Sequence, residues 1–79
     1  MSMTKRERRA LRVAENLRRI RLASGLTLLE VASRAGIQES HLSEMERGLR
    51  GRDTILRILD LTDALRCQPQ DIFSTEEDG

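Results

Sequence analysis

The 79-residue sequence has no tryptophan or tyrosine, a single phenylalanine and a single proline. A chain so short of aromatic residues, and rich in Leu, Ile, Ala, Arg and Glu, is predicted to be helical rather than sheet-forming. Its one cysteine, Cys67, excludes an internal disulfide and a thiolate-rich zinc site, and its one histidine, His41, leaves little for a metal cluster. No metal, cofactor or small-molecule ligand is expected. No apolar run is long enough to span a membrane, and no hydrophobic stretch follows the charged N-terminus. A cytoplasmic protein without a membrane partner is expected. A glycine-rich phosphate loop is also missing, and the neighbours Ser40 and His41 cannot face each other on a helix. These absences argue against an enzyme.

What is present is charge, unevenly spread. The net charge is only +1. Residues 1–25 nevertheless hold Lys5, Arg6, Arg8, Arg9, Arg12, Arg18, Arg19 and Arg21 against Glu7 and Glu15, a local net of +6. Residues 60–79 hold Arg66 against Asp60, Asp63, Asp71, Glu76, Glu77 and Asp78, a local net of −5. A basic segment joined to an acidic one suits a protein with one side turned to a polyanion, although a solvated helix face with an acidic end gives the same pattern. The length allows one domain, near the size below which a core struggles to hold itself together.

Punctuation along the chain predicts five helices. Thr4-Lys5-Arg6-Glu7 has the form of a capping box. Leu11, Ala14, Leu17 and Ile20, with Val13 beside them, then form one apolar stripe up to the stop at Gly25, predicting a helix over about 5–23. Thr27-Leu28-Leu29-Glu30 is a second capping box, opening a short helix with Leu29, Val31, Ala32 and Ala35 as its apolar residues and Gly36 as its stop. A third helix is expected over about 38–47, ending at Gly48. Two helices joined by a short glycine-bearing turn make a helix-turn-helix, here over about 28–47. After a basic loop from Gly48 to Asp53, Asp53 or Thr54 caps a fourth helix to about Leu65, and Gln68-Pro69 opens a fifth. The expected fold is therefore all-α, a compact five-helix bundle. The domain is read as residues 1–73, with 74–79 as a disordered acidic tail.

The third helix carries the functional signal. Leu42 and Met45 share its inner face, while Glu39, Ser40, Ser43, Glu44 and Arg47 fall on the opposite one. In a helix-turn-helix the second helix enters the major groove. There Glu can accept from cytosine N4, Ser can bond several bases, and Arg prefers guanine or phosphate. An ordinary solvated face is the bland alternative. Glu44 either bonds a base or orients Arg47 or another arginine. Since carboxylates repel phosphate, attraction must come from Arg34, Arg47, Arg50, Arg52 and the arginines of the first helix. The N–H groups opening the second helix, near Thr27 and Leu28, are a further phosphate site.

The run Ile20-Arg21, Gly25-Leu26-Thr27, Leu29-Glu30-Val31-Ala32, Ala35-Gly36-Ile37, Ser40, Leu42-Ser43 and Met45-Glu46-Arg47-Gly48 resembles the lambdoid repressor and Cro-like (XRE-type) helix-turn-helix family. The resemblance covers roughly residues 13–73. It implies a lambda-repressor-like DNA-binding domain and a buried Arg21–Glu46 pair joining the first helix to the end of the third. It also implies base-facing roles for Glu39, Ser40, Ser43 and Glu44, and dimerisation through helices four and five. The sequence departs from the family in four places. Leu28 stands where a phosphate-binding Gln is common, Gln38 where a Ser/Thr cap is usual, and Arg66 where a Gly usually follows helix four. The loop before helix four is about one residue longer. Stand-alone chains of this size are similar to restriction–modification controller proteins, small phage repressors and antitoxin-type autorepressors.

Helix four argues for a dimer independently. Ile55, Leu56, Ile58, Leu59, Leu61, Ala64 and Leu65 are too many apolar residues for one inward stripe, unless the helix is fully packed inside its own bundle. The expected interface is Leu61, Leu65, Cys67, Ile72 and Phe73, with Cys67 as a small core or interface residue. The function expected is sequence-specific regulation of transcription by a homodimer on double-stranded DNA, at a palindromic or pseudo-palindromic operator that includes its own promoter. RNA polymerase is a further candidate partner. The alternative is a protein-interaction module, such as an antitoxin-like partner of a toxin or of polymerase.

Overall fold

The structure, a computed structural model, describes residues 2–49 and 55–74. It contains five helices: α1 Lys5–Ala23, α2 Leu28–Ala35, α3 Glu39–Glu46, α4 Ile55–Leu65 and α5 Pro69–Phe73. The fold is an all-α bundle. Arg50 and Arg52, the Asp53 or Thr54 cap, and the acidic residues Glu76, Glu77 and Asp78 lie outside the described residues.

Local chemistry sets the helix ends. Thr4 Oγ1 accepts the Glu7 N–H at 3.1 Å and the Glu7 carboxylate accepts the Thr4 N–H at 3.0 Å. Thr27 and Glu30 repeat this at the head of α2, with both bonds at 3.1 Å. At α5 the Asp71 carboxylate reaches back to the Gln68 N–H at 2.9 Å, and Pro69 occupies the first turn. Gln38 heads α3 without any side-chain cap.

The four longer helices end alike. A residue in the left-handed region follows each, and the next N–H bonds a carbonyl five residues back: Leu26 to Arg21, Ile37 to Ala32, Leu49 to Glu44 and Cys67 to Thr62. Glycine supplies that residue three times, whereas after α4 it is Arg66, at φ 55°. Each closure satisfies carbonyls that a helix end would otherwise leave unpaired.

The core is small. Leu17, Val31, Leu42, Leu61 and Ile72 are its largest fully buried side chains, each contributing about 1.5–3 kcal/mol by leaving water. Around them pack Ala32, Met45, Ile58, Ala64 and Leu65. α2 lies against α3 and α4, while α1 lies against α3 and α5. The apolar face of α2 differs from the one expected: Leu29 is 58% exposed, and Leu28 packs against the core instead. Residues 28, 31, 32 and 35 follow the i, i+3, i+4, i+7 spacing of one helix face, and 29 falls off it.

Asn16, buried in the middle of α1, fastens the far end of the chain. Its Nδ2 donates to the Ile72 carbonyl at 3.1 Å and to the Ser74 carbonyl at 2.8 Å. No helix among the described residues is long and apolar enough to cross a membrane.

Candidate nucleic-acid interface

The α2–turn–α3 unit is stiff because its turn is closed from both sides. Gly36 takes φ 73°, the Ile37 N–H bonds the Ala32 carbonyl at 3.0 Å, and the Ile37 side chain packs against the core. Val31, Ala32 and Ala35 of α2, with Leu42 and Met45 of α3, sit in the same core cluster. With that inner face buried, α3 turns its polar face outward.

On that face Glu39, Ser40 and Arg47 are exposed, and Ser43 and Glu44 are half-buried. The Arg47 Nε–H leans back on the Ser43 carbonyl at 3.4 Å, a long bond that costs little to release. His41 is half-buried on the same helix. The base-reading candidates therefore sit on one short helix, with the most exposed at its two ends.

Two ties hold the C-terminal end of α3 to α1. Arg21 donates from Nε to Glu46 Oε2 at 2.7 Å and from Nη2 to Glu46 Oε1 at 3.0 Å, a paired fork-to-carboxylate geometry. Its Nη1 also donates to the Leu26 carbonyl at 2.9 Å, so one guanidinium ties together α1, the turn before α2, and α3. Both residues are 8% exposed. The bond to Glu46 holds the Arg21 proton more firmly than usual, outweighing the opposing effect of burial. The second tie is steric. Gly48, at φ 75°, comes so close to α1 that a Cβ there would lie 2.7 Å from Leu11 Cδ2.

The head of α2 is partly occupied already. The N–H groups of Thr27 and Glu30 are taken by the capping box, leaving those of Leu28 and Leu29 without a partner among the described residues. The backbone bond from Thr27, then its hydroxyl, holds the Glu30 carboxyl below its ordinary pKa. An incoming phosphate would meet two open N–H groups beside a carboxylate. Leu28 offers only its backbone, because its side chain packs against the core. Arg34 is exposed in the last turn of α2.

Burial divides the five interface residues expected on and between helices four and five. Leu61, Leu65 and Ile72 are 0%, 6% and 0% exposed and fill the chain's own core. The apolar surplus of α4 is Ile55, Leu56 and Leu59, at 67%, 69% and 39% exposure, with Phe73 at 43% on α5. Cys67 is half-buried, and its thiol is pushed up by burial and then by Asp71, which makes it a poor nucleophile. Sequence reasoning missed the Asn16 clasp, which had no local signal. The carboxylate at the head of α2 is the Glu30 of the capping box expected there.

Comparison with known proteins agrees with this geometry. Residues 12–72 match the helix-turn-helix domain family. An uncharacterised HTH-type transcriptional regulator, y4dJ, of Sinorhizobium fredii is 40% identical over 53 residues, covering 67% of this chain and 68% of that protein. Among solved structures, the restriction-modification controller protein C.AhdI from Aeromonas hydrophila superposes with a TM-score of 0.77 at 31% identity, over 81% of this chain and 96% of that one. The clp gene regulator ClgR from C. glutamicum gives a TM-score of 0.73 at 29% identity, over 84% and 82%.

Proposed function

The chain belongs to the helix-turn-helix domain family of DNA-binding transcriptional regulators, and from that premise we propose that it binds a palindromic or pseudo-palindromic operator as a homodimer. Members of this family regulate transcription and are not enzymes. The operator includes the chain's own promoter, and α3 reads it. The observation that carries this reading is the rigid display of α3: a buried inner face, two ties to α1, and an outer face of Glu39, Ser40, Ser43, Glu44 and Arg47. Arg34 and the open N–H groups of Leu28 and Leu29 grip phosphate beside it. Arg50 and Arg52 of the basic loop are further phosphate contacts. The likeness to C.AhdI supports a controller-type regulator within this class.

Dimerisation is supported by the exposed flank of α4. Ile55, Leu56 and Leu59 stand at i, i+1 and i+4, outside the filled core. A two-fold pair joined there would present two copies of α3 to half-sites about one helical turn apart.

Selection of bound duplexes from a random pool tests the reading. The native chain should enrich one two-fold-related sequence. Glu44→Ala should relax preference at one position of each half-site, while Arg47→Ala should lower affinity without changing sequence. Absence of any shift with duplex DNA at low salt would sink the proposal and favour a protein-interaction module. Leu56→Glu with Leu59→Glu should give a monomer in sedimentation with its helical signal intact.

A further inference from the structure

α1 and α2 each begin with a threonine bonded to the N–H of the third helical residue, and a glutamate bonded back. α3 has neither half of this arrangement. Gln38 occupies the cap position, its amide makes no cap bond, and the third helical residue is His41 rather than a carboxylate. The Gln38 side chain is exposed and makes no hydrogen bond among the described residues.

The backbone beneath that amide is nevertheless fixed. Gln38 is extended, at φ −77° and ψ 146°, and its carbonyl accepts the N–H of the fully buried Leu42 at 3.1 Å. Ile37, the residue before it, packs against the core. Glu39 and Ser40, the next two, are exposed as Gln38 is. An uncommitted amide therefore stands on a rigid base at the N-terminal end of α3, the part of a recognition helix that meets base edges.

Ser, Thr, Asp or Asn at this position would cap the helix, and Gln gives that stabilisation up. Local rules of this kind are broken chiefly at functional sites. What a primary amide offers instead is a donor and an acceptor side by side. In the major groove adenine alone presents the complement, N7 as acceptor next to the N6 amino donor. Guanine shows two acceptors, cytosine a donor, and thymine an acceptor beside a methyl group.

We propose that Gln38 is a further base-reading residue, selecting adenine at one position of each half-site through paired bonds to N6 and N7. The inference rests on the operator reading above and deepens it. A paired contact of this kind discriminates about 5- to 150-fold against a wrong base. It also supplements the two glutamates of the reading face, which as carboxylates only accept, by adding an amide donor to the serine hydroxyls.

The test carries the full chain through random-pool selection together with Gln38→Ser and Gln38→Glu. The native chain should demand adenine at one position per half-site, distinct from the position that Glu44→Ala relaxes. Gln38→Ser should lose that demand alone, and the cap it restores should leave the melting midpoint equal or higher. Gln38→Glu, an acceptor without a donor, should turn the preference to cytosine. An operator carrying 7-deazaadenine at that position should bind the native chain several-fold more weakly, and should leave the serine variant unaffected. A sequence preference shared by the native chain and both variants would overturn the assignment and leave Gln38 a solvated surface residue. A lower midpoint for Gln38→Ser, with affinity lost for every sequence alike, would also overturn it, because the amide would then serve the fold. Enrichment of no sequence by the native chain would instead sink the operator reading itself, and the role of Gln38 with it.

Discussion

Replacing Glu46 by alanine should be among the most damaging single changes available to this fold. The substitution strips Arg21, a residue 8% exposed in the native chain, of its two bonds at 2.7 and 3.0 Å and leaves only the Leu26 carbonyl at 2.9 Å to accept from it. Removing one half of a buried pair costs about 3–5 kcal/mol, because the remaining charge is uncompensated. At about 0.05–0.15 kcal/mol per residue, a chain of this size has a total stability of about 4–12 kcal/mol. Glu46→Ala therefore removes a large share of the whole. The double variant Arg21→Met with Glu46→Leu should recover most of the loss, since replacing both partners by apolar groups of similar volume is often close to neutral. Urea unfolding followed by circular dichroism, at one fixed protein concentration, gives both values and the coupling between them. The arginine's share is complete at any pH below its ordinary value and is lost only as pH rises through its raised folded value. Unfolding between pH 6 and 10 should therefore show no dependence from this group. A cost below about 1 kcal/mol for Glu46→Ala, the scale of an exposed pair, would refute the buried-tie reasoning.

Three further outcomes are expected. Gly48→Ala and Gly36→Ala both force a side chain into the left-handed region, at φ 75° and 73°, at about 1–2 kcal/mol each. Only the first also pushes on Leu11, so thermal melts should rank it as the more damaging, and equal losses would mean that Leu11 swings aside without cost. Arg66→Gly, at φ 55°, should stabilise by of order 1 kcal/mol, read as a higher urea midpoint; a lower midpoint would contradict the strain assigned to that turn. Glu7 and Glu30 should titrate below the ordinary 4.5, each held down by the backbone N–H and then the hydroxyl of its capping threonine. Stability from the two boxes is then complete above pH 4.5 and lost as pH falls through the lowered folded values, and side-chain NMR midpoints at or above 4.5 would exclude the boxes in solution.

The sequence disclosed the helices because their ends are local events. Thr4 with Glu7, Thr27 with Glu30, and the left-handed positions at Gly25, Gly36 and Gly48 need no tertiary information. It was less informative about which apolar face goes inward. On α4, periodicity marked a surplus but could not divide it. Leu61 and Leu65 fill the core while Ile55, Leu56 and Leu59 remain outside, a choice made by α2 and α5. Leu28 and Leu29 pose the same problem at neighbouring positions, and only the full i, i+3, i+4, i+7 set settles it. Asn16 was silent for a different reason. A lone amide on a charged helix says nothing until the carbonyls of Ile72 and Ser74, more than fifty positions away, are brought to it.

That clasp also has a meaning in time. During synthesis α1 is made before α5, and the groups its buried amide requires follow 56 and 58 residues later. At about 5–20 residues per second the wait is about 3–12 s. Until then α1 can coil but cannot close its α5 side. The residues of the helix-turn-helix are thus made before those of α5, whose docking satisfies the buried amide of α1.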